Sequence, residues 1–353
     1  MFYKQQDTKC KAYIETDHWK VTTAMNTVPM LLIKKPASVL LRTVVDLCAW
    51  NANTKKLASP LPDINSILRH VACAKYFLLM DSSNAYEQVR VEPAHVERTA
   101  ILTPDGNMLS LVMQQGDCNA PTTFQAIMNL IFLLYIGRFM EIYLDDIIVY
   151  SNTLEEHMKH VKLIIDILKK EKCYLSENKV HFLAKELKVL GCIVDHHGIC
   201  MDLDKVDAIL KWPTPMNKDL LLSFLGLLGL LVDDIVKICI PMGQLSALTG
   251  STMPFHWTYM EQRVFEEVKA LASTCYSNHR VPIDYSKDVK PVWLVSDGCG
   301  TRITVYIIQG ETWEKGVICA FYSVKLNPMQ QNYPVHEIEM LAGVAITQFV
   351  ILN

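Results

Sequence analysis

Short apolar runs and stretches with a two-residue period predict β-strands through much of the first half of the chain. Residues 100–103 and 108–113 flank a Pro-Asp-Gly turn, which is typical of a β-hairpin. Residues 139–143 and 147–150 are apolar runs on either side of Leu-Asp-Asp, and they predict a second hairpin. Further strands are predicted at residues 30–33, 40–47, 76–80 and 86–91.

Apolar residues at helical spacing predict helices between these strands. Asp63 stands in the capping position of a helix that begins at Ile64. Asn119 and Pro121 open a second helix, with proline at the first helical position, and Gly137 closes it. The apolar face of the first helix consists of Ile64, Ile67, Leu68 and Val71.

A third helix is predicted from Thr153 and Glu156, which form a capping box. Its apolar stripe consists of Leu154, Met158, Val161, Ile165 and Leu168. The apolar run 220–232 is shorter than the roughly twenty residues that span a bilayer, so we interpret it as a buried helix. The polar linker 51–63 contains two prolines and is predicted to have no regular element.

The order of these elements defines the predicted fold class. Strands and helices interleave, with antiparallel hairpins, so the pattern predicts an α+β domain over residues 40–195. A helical stretch is predicted at 203–250, and a second region of α/β type begins near Phe255. Residues 1–29 are weakly patterned and are interpreted as a lead-in.

The composition is that of a globular protein, with 50% hydrophobic and 20% charged residues among 353. The net charge of −3 does not by itself favour a nucleic-acid partner, because proteins that follow a phosphate backbone usually carry a basic surplus. Eleven scattered cysteines without a C-x-x-C pair favour free thiols in an intracellular compartment, the cytoplasm or the nucleus. His157 and His160 share a helix face, which we interpret as solvated rather than as a zinc site.

The strongest chemical signal is Tyr143-Leu144-Asp145-Asp146, which lies between two apolar strands. Adjacent aspartates are also ordinary turn residues, and this is the alternative interpretation. Asp81 likewise ends an apolar strand, so the pattern places three carboxylates at the strand ends of one sheet. Such a set can hold two Mg²⁺ ions, which activate a hydroxyl group and stabilise a leaving pyrophosphate.

Together with further blocks, these residues resemble the reverse transcriptase of gypsy-type long-terminal-repeat retrotransposons, of the branch common in fungi. The resemblance is collinear over about residues 28–345. Its blocks are LRTVVDL, SPLPDINSIL, AYEQVRV, MQQGDCNAPTTFQ, YLDDIIVYS, KVLGCIVDHHGI, KWPTP and LNPMQQNYPVHEIEMLAG. An intron-encoded polymerase also carries Y-x-D-D, but KWPTP and HEIEMLAG match the gypsy connection and ribonuclease H regions.

The resemblance implies an RNA-directed DNA polymerase that holds an RNA or DNA template and its primer in a groove between palm and fingers. Deoxynucleoside triphosphates (dNTPs) are the implied substrates, two Mg²⁺ ions the implied cofactor, and no membrane partner is expected. The implied domains are a lead-in at 1–29, fingers and palm at 30–195, a thumb or connection at 196–254, and a truncated ribonuclease H-like domain at 255–353.

The resemblance assigns the metal ligands and the sugar contact. Asp81, Asp145 and Asp146 correspond to the catalytic carboxylates that bind both metal ions. Tyr86 corresponds to an aromatic ring under the sugar of the incoming nucleotide, where the ring excludes a ribose 2′-hydroxyl. The alternative for Tyr86 is an aromatic side chain that only packs against a strand.

Three other residues are implied to bind the dNTP. Arg42 corresponds to a fingers arginine whose guanidinium contacts the triphosphate. Gln115 and Gly116 form the bend beside the nucleotide, where glycine permits close backbone approach. Without the resemblance, these residues are a surface arginine and a plain strand-to-helix turn.

A second acidic pair occurs near the end of the sequence. Asp297 follows an apolar strand, and Glu339 lies in a predicted helix. They resemble the first two of the four acidic metal ligands of a ribonuclease H-like domain. The chain stops at Asn353, soon after that helix, so we expect no ribonuclease H activity from it.

Several departures from the family favour another hypothesis, a catalytically inactive, degenerate nucleic-acid-binding remnant. The block Ser82-Ser83-Asn84 replaces an expected glycine, lysine and acid, and the segment 301–306 lacks the expected small residues. Arginine is expected but absent at Cys48, Trp50, His70, Cys73, Cys192, Cys200 and Cys239. Cytosine deamination in arginine codons produces such changes, whereas the intact aspartates favour an active enzyme.

Overall fold

Strands and helices interleave along the chain in a computed structural model of the protein. The structure describes residues 10–34, 41–184, 186–229, 231, 234–235, 238–250, 254–275, 279–284, 289–299, 302–327 and 329–352. The chain divides into two compact units. The first consists of Met1–Asp63 and Tyr76–Leu183, and the second of Ile64–Lys75 and Ala184–Asn353.

The regular elements have the following bounds. The strands are β1 (Trp19–Val21), β2 (Val28–Lys34), β3 (Leu41–Val45), β4 (Tyr76–Asp81), β5 (Ala100–Thr103), β6 (Gly106–Ser110), β7 (Met140–Tyr143), β8 (Asp146–Ser151), β9 (His181–Ala184), β10 (Glu186–Val189), β11 (Cys192–Asp195), β12 (Gly198–Met201), β13 (Val292–Cys299), β14 (Arg302–Gln309) and β15 (Val317–Lys325). The helices are α1 (Cys48–Asn53), α2 (Ile64–Ala72), α3 (Ala120–Phe132), α4 (Leu154–Lys170), α5 (Leu203–Leu210), α6 (Lys218–Gly229), α7 (Cys239–Ala247), α8 (Tyr259–Cys275) and α9 (Val335–Leu352).

The first unit contains two sheets. One has the strand order β1-β6-β5-β2-β3, and the other has the order β7-β8-β4-β9. Helices α3 and α4 share a hydrophobic core with the second sheet, because their apolar faces bury the side chains that its strands project. This core includes Phe124, Met128, Ile142, Ile147, Val161 and Ile164.

Both predicted hairpins are confirmed. Strands β5 and β6 pair antiparallel around a turn in which Gly106 has a φ of 113°, a conformation that favours glycine. Strands β7 and β8 pair antiparallel around Leu144 and Asp145. The helix predicted after Asp63 is α2, which buries Ile67, Leu68 and Val71. Within the predicted lead-in, β1 pairs with β6 at the edge of the five-stranded sheet.

Two local predictions are wrong. Residues 86–91 do not form a strand, because Asn84 adopts a left-handed φ of 46° directly after β4 and starts the short 3₁₀ helix Ala85–Gln88. The linker 51–63 is not wholly irregular, because α1 continues to Asn53. The Asn53 side chain donates a hydrogen bond to the carbonyl of Ala49 in the preceding turn of that helix (2.8 Å).

The interpretation of α4 also needs correction. Thr153 does cap the helix, accepting a hydrogen bond from the Glu156 N–H (3.3 Å). The buried face, however, consists of His157, Val161, Ile164 and Leu168, whereas Leu154 and Met158 are exposed. His157 is 1% exposed rather than solvated, because it lies on the buried face of α4, where its Nδ1 is 3.1 Å from the Oγ of Ser151.

We expect His157 to make stability depend on pH. Burial, and then the nearby His160, lower the pKa of His157, so the folded chain takes up this proton less readily than the unfolded chain. Its stabilising contribution is therefore complete above the ordinary histidine pKa of about 6.5 and is lost as pH falls from that value through the lower pKa of the folded chain. Urea unfolding at about pH 7.5 and about pH 5.5 measures this loss.

The His157→Gln variant isolates this contribution. The difference in unfolding free energy between the two pH values should be smaller in His157→Gln than in the parent chain. His95→Gln is the matched control, because His95 is an exposed histidine of the same unit. Equal pH dependence in the parent chain and in His157→Gln would contradict the assignment.

The second unit combines short antiparallel sheets with a helical core. Strands β10, β11 and β12 form one sheet, and β13, β14 and β15 form another, against which α9 packs. The run interpreted as a buried helix is α6, whose Leu221, Phe224, Leu225 and Leu228 are buried. In the part of the chain that the structure describes, no helix has both the length and the hydropathy needed to cross a bilayer.

Candidate active site

Three aspartates lie together at the ends of neighbouring strands in the first unit. Asp81 is the last residue of β4, and its Cα partner on β8 is Asp146, the first residue of that strand. Asp145 is in the turn that joins β7 to β8. The antiparallel pairing of β4 with β8 therefore brings together the three carboxylates that the sequence analysis singled out.

The pKa values of Asp145 and Asp146 are raised above those of ordinary carboxyl groups. Burial is the largest cause for Asp145 and for Asp146, and the negative charge of Asp81 raises both pKa values further. The Oδ1 atom of Asp145 is buried and has no hydrogen-bond partner. A buried carboxylate oxygen without a donor is unfavourable in the protein alone, and it suits the binding of a cation.

Lys179 is the counterion of this cluster. Its Nζ lies 2.9 Å from Oδ2 of Asp81, and this hydrogen bond is the main cause that raises the pKa of the lysine. The chain after α4 runs beside the end of β4, where the Ser176 N–H donates to the carbonyl of Asp81 (2.9 Å). This pairing places Lys179 at the carboxylates, a contact that the sequence analysis did not foresee.

Main-chain hydrogen bonds continue beyond β4. The Ser82 N–H donates to the carbonyl of Asp145 (2.8 Å), and the Ser83 N–H donates to the carbonyl of Tyr174 (3.0 Å). The segment that follows Asp81 is therefore fixed on both sides by its backbone.

The aspartates do not by themselves complete a metal site. Among the described residues, no three His, Cys, Asp or Glu side chains are arranged closely enough to hold a metal ion as they stand. Like charges repel, and the ammonium group of Lys179 contacts Asp81.

Tyr86 lies close to the carboxylates. It follows β4 in the 3₁₀ helix Ala85–Gln88, and its ring meets Phe124 of α3 edge to face, with centroids 6.0 Å apart. Burial raises the pKa of Tyr86, and the charge of Asp145 raises it further. The charge of Asp145 thus reaches the Tyr86 ring, whereas the contact of that ring with a nucleotide sugar stays a prediction.

The loop before α3 contains the two residues expected beside the nucleotide. Gly116 has a φ of 105°, which favours glycine, and Gln115 is exposed. Asn51 of α1 fixes this loop, because its Nδ2 donates to the carbonyl of Gly116 (2.9 Å) and its Oδ1 accepts from the Cys118 N–H (2.9 Å). Sequence reasoning missed Asn51, which it placed in an irregular linker.

Arg42 has a defined backbone position in β3, opposite Ile33 of β2. Its side chain lies outside the described part of the structure. A contact between Arg42 and a triphosphate therefore stays a prediction.

Two family models match the chain. Residues 33–194 match "Reverse transcriptase (RNA-dependent DNA polymerase)", and residues 287–350 match "RNase H-like domain found in reverse transcriptase". Residues 33–194 belong to the reverse transcriptase family. The aspartates, Tyr86 and the Gln115–Gly116 loop all lie within the first match.

Curated relatives of this reverse transcriptase are retrotransposon polyproteins. It is 29% identical over 320 residues to the transposon Tf2-3 polyprotein of Schizosaccharomyces pombe, with 90% of this chain and 24% of the relative covered. It is 30% identical over 312 residues to the retrovirus-related Pol polyprotein from transposon opus of Drosophila melanogaster, with 85% and 30% covered. The chain thus spans less than a third of either relative, and the resemblance to a gypsy-type retrotransposon Pol polyprotein is confirmed.

Solved structures confirm the fold class. The reverse transcriptase resembles the foamy viral protease-reverse transcriptase dRH in complex with double-stranded DNA, with a TM-score of 0.83, 19% identity, and coverage of 96% of this chain and 58% of that one. A foamy viral protease-reverse transcriptase in complex with an RNA/DNA hybrid gives a TM-score of 0.81 at 18% identity, with 99% and 46% covered. At this identity the likeness shows the fold.

The ribonuclease H-like match contains the second acidic pair. Asp297 lies in β13, opposite Thr304 of β14, and its side chain is outside the described part of the structure. Glu339 is exposed on α9. The assignment of both residues to a ribonuclease H remnant stays a prediction.

Proposed function

We propose that this chain is an RNA-directed DNA polymerase of a retrotransposon, which adds dNTPs to the 3′-hydroxyl of a primer. The observation that carries the proposal is the pairing of Asp81 with Asp146, with Asp145 beside them and Tyr86 within electrostatic reach. Partly buried carboxylates such as Asp145 and Asp146, whose pKa values are raised by burial and by neighbouring negative charge, are typical of catalytic sites. Family membership supports the same reaction.

The residues at this site are suited to a divalent cation. Reverse transcriptases use such a cofactor, and three carboxylates, one with a buried oxygen that lacks a donor, supply the hard oxygen ligands that Mg²⁺ prefers. Two Mg²⁺ ions bound by Asp81, Asp145 and Asp146 would activate the primer hydroxyl and stabilise the leaving pyrophosphate.

The other site residues bind and orient the substrates in this proposal. The Tyr86 ring packs under the nucleotide sugar, the Gly116 backbone approaches the nucleotide beside Gln115, and Arg42 contacts the triphosphate. An RNA or DNA template with its primer is the macromolecular partner, since foamy viral structures of this fold hold double-stranded DNA or an RNA/DNA hybrid. An intracellular location, in the cytoplasm or the nucleus, agrees with free cysteines such as Cys48 and Cys73.

The second candidate function is a degenerate remnant that keeps the fold without activity. The observations that favour it are the net charge of −3 and the cysteine, tryptophan and histidine residues at positions where the resemblance leads us to expect arginine. Loss of positive charge weakens phosphate binding, so a remnant should bind a template-primer more weakly than an active enzyme does.

Primer extension tests the proposal. The parent chain, incubated with an RNA template primed with oligo(dT), Mg²⁺ and dTTP, should lengthen the primer, and EDTA should stop the reaction. Absence of extension by a chain whose folding is verified by circular dichroism would favour the remnant.

We expect Lys179→Met to tighten binding of Mn²⁺, used as a spectroscopic substitute for Mg²⁺. Removing the lysine removes both a competitor for Asp81 and a positive charge that repels the metal. The side chain is 62% exposed, so the effect should be modest, about two- to fivefold in the dissociation constant. Electron paramagnetic resonance measures the free Mn²⁺.

The matched control is Lys159→Met, which removes an exposed lysine paired with Glu155 on α4. It should leave the Mn²⁺ dissociation constant unchanged. Unchanged or weaker binding in Lys179→Met would contradict the assignment of Lys179 as a competitor.

A further inference from the structure

The turn between β7 and β8 has an unusual backbone conformation. Leu144 adopts a left-handed φ of 52°, which costs a residue with a side chain about 1 kcal/mol. Asp145 and Asp146 follow immediately in the chain. The conformation of Leu144 therefore determines where both carboxylates lie.

One buried side chain holds this turn. The Oε1 atom of Gln125 accepts a hydrogen bond from the Leu144 N–H (2.8 Å), and its Nε2 donates to the carbonyl of Ile142 (3.0 Å). The same Nε2 also contacts Oδ1 of Asn129 (2.9 Å). Gln125 is 1% exposed, so water does not compete for these bonds.

Gln125 is itself held in place by α3. The neighbouring residue Phe124 and Met128, one turn further, are both buried in the core that α3 shares with the sheet β7-β8-β4-β9. Phe124 also contacts the ring of Tyr86. A single turn of α3 therefore supports both the proposed sugar contact and the turn that carries two of the carboxylates.

We propose that Gln125 is a positioning residue for Asp145 and Asp146. This inference rests on the proposed function and adds a residue to it. Gln125 does not touch the reacting atoms; it acts through the backbone of the turn. Without its amide, the N–H of Leu144 and the carbonyl of Ile142 lose their bonds to Gln125, and Leu144 is released to leave the left-handed conformation.

Gln125→Met tests the proposal, because methionine keeps the length of the side chain and removes every amide hydrogen bond. We expect kcat to fall about 10- to 100-fold and the dissociation constant for Mn²⁺ to rise about tenfold, as happens when supports of metal ligands are removed. The KM for dTTP and the affinity for template-primer should change little, because Gln125 contacts neither. Thermal unfolding of each variant establishes that it is folded.

Two further variants separate positioning from general stability. Asn129→Leu removes only the third contact of Gln125 and should keep the kcat and Mn²⁺ affinity of the parent chain. Leu144→Gly, added to Gln125→Met, should recover part of the lost Mn²⁺ affinity, because glycine adopts positive φ without strain.

Two results would overturn the proposal. One is a folded Gln125→Met variant with the kcat and Mn²⁺ affinity of the parent chain. The other is an equal loss of kcat and Mn²⁺ affinity in Asn129→Leu and Gln125→Met. If the parent chain binds Mn²⁺ but extends no primer, the proposed polymerase function fails. The comparison of Mn²⁺ affinities then still decides whether Gln125 positions the carboxylates.

Discussion

Asp145→Asn is expected to lower primer extension by about 10³-fold or more and to leave the chain folded and more stable to heat. The asparagine keeps the shape of the side chain but removes its charge. It therefore removes the proposed metal ligand without creating a cavity in the surrounding hairpin.

The expected gain in stability follows from the pKa of Asp145. Burial and the charge of Asp81 raise this pKa, so the folded chain binds the proton more tightly than the unfolded chain does. A group of this kind favours folding at low pH, and that contribution is lost as pH rises through its folded pKa. At neutral pH the ionised carboxylate opposes folding, and a neutral asparagine removes this cost. Catalytic sites commonly trade stability for activity in this way.

Asp166→Asn is the matched control, since it makes the same change on the exposed face of α4. It should retain both the extension rate and the melting temperature of the parent chain. An Asp145→Asn variant that extends primers at more than about a tenth of the parental rate would refute the assignment of Asp145 as a metal ligand.

Tyr86→Ala is expected to reduce the preference for deoxynucleotides over ribonucleotides by about 10- to 100-fold, the range that rejection by size in a pocket gives. In the proposed function, the ring occupies the space that a ribose 2′-hydroxyl needs. Loss of the ring admits the larger sugar and weakens packing against Phe124. The measurement is the ratio of kcat/KM for dTTP to that for UTP on one RNA template.

Tyr86→Phe tests the steric cause, because it keeps the ring and removes only the hydroxyl. It should keep the selectivity of the parent chain. Tyr259→Ala, at an exposed tyrosine of α8, controls for loss of an aromatic residue elsewhere. Equal selectivity in Tyr86→Ala and the parent chain would contradict the sugar contact, and lost selectivity in Tyr86→Phe would point to the hydroxyl instead.

The strands that carry the aspartates were predictable because their sequence pattern is local. A run of buried residues ends at Asp81, and another begins after Asp146, so the pattern places both residues at strand ends. Pairing of those strands then brings them together. The contacts of Gln125 and Lys179 were not predictable, because each joins segments that are distant in sequence. Lys179 and Asp81, for example, are 98 residues apart.

Two errors have specific physical causes. Apolar and polar residues alternate over 86–91 as they do in a strand. The left-handed conformation of Asn84 nevertheless turns the backbone before this stretch, and the alternation of residues gives no sign of that turn. The polarity of histidine favours a solvated position for His157, but the helical period places it beside Val161 and Ile164 on the buried face of α4. There the hydroxyl of Ser151, at the end of the neighbouring strand, satisfies one of its two ring nitrogens.

The main-chain hydrogen bonds at the end of β4 affect how sequence changes can accumulate among copies of this chain. Ser82 and Ser83 depart from the family pattern, yet the bonds they make to Asp145 and Tyr174 use only main-chain atoms. Such bonds do not depend on the side chain, but the buried Ser82 leaves room only for a small residue. Genetic drift is therefore tolerated at the partly exposed Ser83, and a copy can diverge there while the arrangement of its aspartates is inherited intact.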